Sequence, residues 1–246
     1  MAPRADAVRR VCTPRCWHVG VADRHLRVDL DPWATVRWHP VTTTCGISGG
    51  SGAGKTTLTN HLLDRLGHDQ VSVLAFDSYY RDQGHLPPAD RALVNYDHPD
   101  SLDHERFASD VAAVRAGETI AAPVYDFTTH TRTTDVVVIE PRPVVIVEGI
   151  LLLSFPEIAA SLDLAVFIDV PEPVRLERRI TRDTAERGRR PADVRRQFAA
   201  TVAPMHDEYV EPYRHLAHRT VELHEDYGPV ADELIARLHG ANHLAG

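Results

Sequence analysis

Lysine is nearly absent from this 246-residue chain: of its 27 basic residues one is lysine, Lys55, and the rest are arginine. Arginine serves every other cationic position, so position 55 has a requirement that a planar, forked guanidinium does not meet. Cysteine is scarce as well. Cys12, Cys16 and Cys45 are too few, and odd in number, for a disulfide framework, and they fit a reducing compartment, with the cytoplasm as the expected location. No apolar run reaches the roughly 18 residues of a membrane helix. The arginines near the N-terminus precede no apolar stretch, so a secretory signal is not expected. A formal net charge of −8 argues against a generic nucleic-acid binder, which is usually basic. Neither nucleic acid nor membrane is an expected partner.

With 43% hydrophobic residues the chain can bury a sizeable core, and its length suits one large α/β domain with an extension. Residues 1–40 read as that extension, poorly packed and of unassigned role. They hold all three tryptophans and no helical period, and the spacing of Cys12, Cys16, His18 and His25 matches no strong zinc pattern. Residues 41–246 read as the folded domain. Short apolar runs at Val41–Ile47, Val71–Phe76, Val144–Val147, Leu164–Val170 and Thr220–Leu223 alternate with helical spacing, as in Lys55–Leu66, where Leu58, Leu62, Leu63 and Leu66 share a face. Nearly continuous apolar strands separated by helices predict a three-layer α/β/α domain around a mostly parallel sheet. One segment breaks the alternation: Ile120–Tyr125 and Asp135–Ile139 flank the polar stretch DFTTHTRTT and predict a projecting β-hairpin.

The lysine sits in GISGGSGAGKTT, and Gly49, Gly54, Lys55 and Thr56 fit the pattern G-x-x-x-x-G-K-[ST] between a strand and an amphipathic helix. Backbone N–H groups in such a loop turn inward around phosphate oxygens, and the following helix N-terminus adds positive potential. The expected phosphate-binding residues are Gly49, Gly50, Ser51, Gly52, Ala53, Gly54, Lys55, Thr56 and Thr57. Lys55 is a compact point charge that reaches the terminal phosphates, and Thr56 would offer its hydroxyl oxygen to Mg²⁺.

Ligands of open parallel sheets bind beyond the C-terminal strand ends. Asp77 and Glu148 both fall at such ends. Glu148, after VVIV, would hold Mg²⁺ or its water shell; Asp77 would take a proton from an attacking hydroxyl and stand near the metal. Either acid would otherwise serve as a helix cap or turn residue. Between Arg175 and Arg196 nine arginines face Glu177, Asp183, Glu186 and Asp193, for a local charge of +5. Arg175, Arg178, Arg179 and Arg182 share a helical face, and Gly188 interrupts the segment like a hinge. This reads as a positive lid that closes over a transferring phosphoryl group, or else as a solvated basic face.

Taken in order, GGSGAGKTT, DSYYRD, NYDHPDSLD, PVYDFTTHTR, VVIVEGILLL, RRITRDTAERGR and YVEP resemble the uridine kinase (uridine–cytidine kinase) family of P-loop kinases. The resemblance covers roughly two-thirds of the chain, from about residue 45 to residue 212. It implies a P-loop NTPase fold carrying a substrate hairpin and an arginine-rich helical lid. It also implies transfer of the γ-phosphate of ATP or GTP, with Mg²⁺, to the 5′-hydroxyl of uridine or cytidine, giving UMP or CMP in pyrimidine salvage. By the same resemblance Asp77 is the general base and Asp97 the carboxylate on the ribose hydroxyls. Tyr96 and Tyr125 are aromatic contacts and His130 reads the pyrimidine edge. Arg179 and Gln197 are further substrate contacts, with Arg179 counted as catalytic, and Arg182, Arg187 and Arg189 face the triphosphate. Members of the family often form homo-oligomers.

The nearest rival is a phosphoribulokinase-like kinase of another small hydroxylated metabolite; the NYDHPD and PVYDFTTHTR pair favours a nucleoside. A regulatory NTPase is a rival of another class, and its guanine-reading N-K-x-D motif is absent because Lys55 is the single lysine. Lys55→Arg keeps the charge and changes its shape, so turnover is expected to fall at least about tenfold, roughly 1.4 kcal/mol of barrier. Unchanged steady-state kinetics would make the lone lysine an accident of composition.

Overall fold

The computed structural model describes residues 42–91 and 93–244. The expectations for residues 1–40, including Cys12, Cys16, His18 and His25, lie outside the described residues.

Five strands form one parallel sheet: β1 (Thr43–Ser48), β2 (Val71–Ala75), β5 (Val144–Glu148), β6 (Leu164–Asp169) and β7 (Arg219–Glu222), in the order β2-β5-β1-β6-β7. In β5, Val144, Val145, Ile146 and Val147 are all fully buried. Successive strand residues point to opposite faces, so a strand buried at every position is covered on both. The covering layers come from α1 (Lys55–Leu66), the short α2 (Pro88–Arg91), α3 (His104–Arg115), the one-turn α4 (Pro156–Ala159), α5 (Glu172–Arg187), α6 (Pro191–Gln197), α7 (Ala203–Tyr209) and α8 (Tyr227–Leu244). A π-helical stretch, Phe198–Val202, joins α6 to α7. One core cluster joins Leu74, Phe76, Phe107, Val145, Val147, Leu151 and Phe155, with the Phe76 and Phe107 rings stacked at 4.4 Å. Of the expected α1 face, Leu58 and Leu62 are fully buried, while Leu63 and Leu66 sit at its half-buried edge.

Strand boundaries shift from the sequence reading, mostly by a residue or two, and at three places the shift has a local reason. β1 begins at Thr43, and its threonines are buried rather than weakening it. Thr44 accepts from Arg115 Nη1 at 2.8 Å, and its N–H donates to Asp163 Oδ2 at 2.7 Å, which satisfies both polar groups in the core. β2 stops at Ala75, so Asp77 stands not on the strand end but in the 3₁₀ turn Phe76–Tyr79 that follows. Phe76 packs inward against Phe107 and Phe155 there, and the turn forms around it. The hairpin strands run further than their apolar residues suggest, as β3 (Ile120–Asp126) and β4 (Thr131–Ile139), leaving a four-residue tip, 127–130. Asp126 supports that tip by accepting from Thr128 N at 2.8 Å and from Thr129 Oγ1 at 2.9 Å.

The hairpin is tied to the body by Arg132. Its Nε donates to Tyr80 O at 2.8 Å and its Nη2 to Tyr79 O at 3.0 Å, with an ion pair to Asp103 at 3.0 Å. Among the described residues no helix is long and apolar enough to cross a membrane.

Candidate active site

The glycine-rich loop leaves β1 and enters α1 at Lys55. Gly49 (φ 140) and Gly52 (φ 83) lie in backbone regions that disfavour a side chain. A Cβ there would stand 2.6 Å from Ile168 O and 2.3 Å from Arg175 O, both backbone atoms that cannot swing away. Register does the rest. Glu148 is paired with Ile47 of β1 and with Ala75 of β2, so the loop, Glu148 and the turn bearing Asp77 meet at one end of the sheet.

Lys55 is 9% exposed, and its ammonium donates to Gly49 O at 3.0 Å and Gly50 O at 3.3 Å. Burial pushes its pKa down, and the carboxylates of Glu148 and Asp77 pull against that. The Thr56 hydroxyl donates to Glu148 Oε1 at 3.1 Å. Burial raises the pKa of Glu148 above the ordinary carboxylate value, with Lys55 opposing. Asp77 Oδ1 is buried and has no hydrogen-bond partner. A buried carboxylate oxygen without a donor is a place for a cation or a hydroxyl.

The arginine face of α5 turns onto this loop. Arg178 Nη1 donates to Ala53 O at 2.9 Å, and Arg179 bridges Ser51 Oγ at 2.9 Å and Gln197 Oε1 at 3.2 Å. Arg175 is buried, and its side chain lies where a Cβ on Gly50 would fall. Arg178 and Arg182, with Gly54, Lys55, Thr56 and Tyr227, line a cleft of about 420 Å³ beside the loop. Arg187 holds its guanidinium 4.6 Å from the centre of the Phe127 ring at the hairpin tip. Arg189 pairs with Asp183 at 3.2 Å.

On the other side of the loop Asp97 is buried and accepts from Thr201 Oγ1 at 3.2 Å. Burial raises its pKa and Arg179 opposes the rise. A small cavity here is bounded by Gly50, Ser51, Asp97, Ile150 and His206. Tyr96, the chain neighbour of Asp97, belongs to an aromatic cluster. His130, with a left-handed backbone (φ 55), stacks on Tyr96 at 4.7 Å and 12°, and Tyr80 meets Tyr96 and Tyr125 at 5.7 and 5.2 Å. The glycine-rich loop thus has a cation-lined cleft on one side and a small cavity with a buried carboxylate on the other.

Residues 44–226 match the sequence profile of the phosphoribulokinase / uridine kinase family. The chain belongs to that family. It is 45% identical over 176 residues to the uridine kinase of Shewanella pealeana, spanning 70% of this chain and 83% of that protein. It is 39% identical over 197 residues to the uridine kinase of Chloroflexus aurantiacus, spanning 80% and 94%. In the fold alone it is similar to a candidate fructose transport system kinase from Silicibacter sp. TM1040, with a TM-score of 0.62 at 23% identity over 74% of this chain and 90% of that one.

The family's P-loop kinase architecture accounts for what the structure brings together. Lys55, Thr56, Glu148 and Asp77 converge at one end of the sheet, Arg179 touches both Gln197 and Ser51 of the loop, and Tyr96 and His130 stack. Arg182 lines the phosphate cleft, whereas Arg187 faces the hairpin tip. Thr56, Glu148 and Asp77 supply hard oxygen donors. Mg²⁺ binds through one or two protein carboxylates and keeps several waters, so this set fits it without a larger cluster; among the described residues no group of three or more acidic, imidazole or thiol side chains stands together. Sequence reasoning placed Arg178 on the arginine face and Asp183 among the acids opposing it without giving either a contact, and it missed Tyr227 and Thr201. Tyr227 and Thr201 come from distant elements and carried no signal.

The raised pKa of Glu148 gives a sign that can be checked. The folded protein holds this proton more tightly than the unfolded chain, so its contribution to stability is full below the unfolded value and is lost as pH rises through the folded one. Glu148→Gln keeps an acceptor for Thr56 and removes the buried charge. It should raise the thermal midpoint at about pH 7, with the gain shrinking towards about pH 4, while turnover falls. A lower midpoint at neutral pH would mean that attraction to Lys55 outweighs burial.

Proposed function

We propose that this uridine kinase family member transfers the γ-phosphate of ATP to the 5′-hydroxyl of uridine, and of cytidine as the alternative base. One observation supports this reading most: the charge of Asp77, which has an unpartnered buried oxygen, is felt both at Lys55 and Glu148 and at Asp97, whose chain neighbour Tyr96 stacks on His130. A donor triphosphate lies along Gly49–Thr57 with its terminal phosphates at Lys55 and in the cleft lined by Arg182. The ribose hydroxyls reach Asp97, whose carboxylate accepts from two vicinal hydroxyls at once, and the pyrimidine meets the wall of Tyr96, Tyr125 and His130. The sugar's 5′-hydroxyl then points at Asp77.

Asp77 takes the proton as the hydroxyl oxygen bonds to the γ-phosphorus, and the bond from that phosphorus to the β-phosphate oxygen breaks to release ADP. Lys55, Arg179 and Arg182 hold positive charge against the transferring group, and Glu148 and Thr56 would hold Mg²⁺. When bound, the metal would neutralise negative charge on the donor's terminal phosphates. Little covalent work falls to the protein, and positioning carries most of the rate. A sugar-phosphate acceptor has no flat ring to set against the aromatic cluster of Tyr96, Tyr125 and His130, which favours the nucleoside.

Asp77→Asn separates binding from proton transfer. Phosphorylation of uridine should fall by at least about a hundredfold, within the range that general-base removal produces, while affinity for ATP with Mg²⁺, measured by calorimetry, stays within a few-fold of wild type. Wild-type turnover in that variant would remove Asp77 from the role of base.

A further inference from the structure

Asp183 is fully buried at the end of α5, and four arginines surround its carboxylate. Arg182 approaches Oδ1 at 2.8 Å and Arg187 the same oxygen at 3.6 Å; Arg189 approaches Oδ2 at 3.2 Å and Arg179 at 3.6 Å. Its backbone carbonyl also accepts from Arg189 N at 3.1 Å, so the chain reversal after α5 is fixed on the same residue. Each arginine has a second attachment or field elsewhere. Arg179 reaches Ser51 of the phosphate loop, Arg182 lines the donor cleft, and Arg187 covers the Phe127 ring of the hairpin tip. The charge of Arg189 is felt at Asp97 and at His130.

Four guanidinium groups this close repel one another, and in a low-dielectric interior that repulsion is strong. One carboxylate among them fixes their spacing: Arg182 and Arg189 donate to it along defined directions, and Arg179 and Arg187 are held beside it by charge at 3.6 Å. Removing it would leave four like charges to splay apart. An anion entering the cleft at Arg182 pulls on the same cluster that holds Arg187 against the hairpin.

We propose that Asp183 is a positioning residue for phosphoryl transfer: it touches neither donor nor acceptor, and through Arg182 and Arg187 it couples donor binding to the order of the nucleoside-side hairpin. This rests on the donor half of the proposed reaction and not on the identity of the acceptor.

The test is hydrogen exchange at the hairpin tip, residues 127–130, with and without a saturating non-hydrolysable ATP analogue and Mg²⁺, in the full chain. In the wild type the analogue should slow exchange at the tip by at least about fivefold, the low end of typical coupling between sites. In Asp183→Asn, and in Phe127→Leu, which removes the ring beneath Arg187, the slowing should drop below about twofold although the analogue still binds. A purely structural role would speed exchange equally in the free and bound states and leave that ratio unchanged. Retention of the ratio in either variant, or no slowing in the wild type, overturns the proposal. If Asp183→Asn does not fold, Phe127→Leu decides alone. Uridine takes no part, so a failed acceptor assignment shows separately, as intact tip protection without uridine turnover.

Discussion

A buried ammonium is the constraint around which this domain is arranged. Lys55 is held by two carbonyls of its own loop, Gly49 O and Gly50 O, and faces the carboxylates of Glu148 and Asp77 across the strand ends. Burying a cation is costly unless it is paired and hydrogen-bonded. The loop must therefore curl tightly enough to present carbonyls inward, which places Gly49 and Gly52 against backbone where no side chain fits. The sheet must bring Glu148 beside the loop, and parallel pairing of β5 with both β1 and β2 does so. The fully apolar β5 supplies the rigid platform.

Around that centre the charges are arranged as two sets. Lys55, Arg178, Arg179 and Arg182 face the loop and its cleft, while Glu148 and Asp77 oppose Lys55 and Asp97 opens onto the small cavity beyond Gly50 and Ser51. Cations collected around one cleft favour a polyanion there, and a low dielectric strengthens each contact. The hairpin, clamped by Arg132 and reached by Arg187, closes the far side with aromatic rings. The two cavities share the glycine-rich loop, with Gly50 and Ser51 on one and Gly52, Gly54, Lys55 and Thr56 on the other, in a chain of the phosphoribulokinase / uridine kinase family.

Much of this was legible in the sequence because it is local. The loop spacing, the helical face of Arg175, Arg178, Arg179 and Arg182, and the apolar run of β5 are all properties of a few consecutive residues, and each takes the place its pattern implies. What escaped depends on long-range packing. The 3₁₀ turn holding Asp77 forms because Phe76 finds Phe107 and Phe155, and neither lies near it in the chain. Thr44 reads as a weak strand residue until Arg115 and Asp163 satisfy it. Thr201 and Tyr227 reach the pockets from elements whose sequence says nothing of phosphate or ribose. Asp183 stood in a quoted motif, yet its meaning comes from four arginines converging on it in space.

The most direct test of the acceptor is an ADP-release assay with ATP and Mg²⁺ against uridine, cytidine, adenosine, ribulose 5-phosphate and no acceptor. Turnover with uridine or cytidine and with none of the others is the expected result, and it would rank the two bases. Turnover with ribulose 5-phosphate alone, or ADP release that needs no acceptor, would contradict the nucleoside kinase reading.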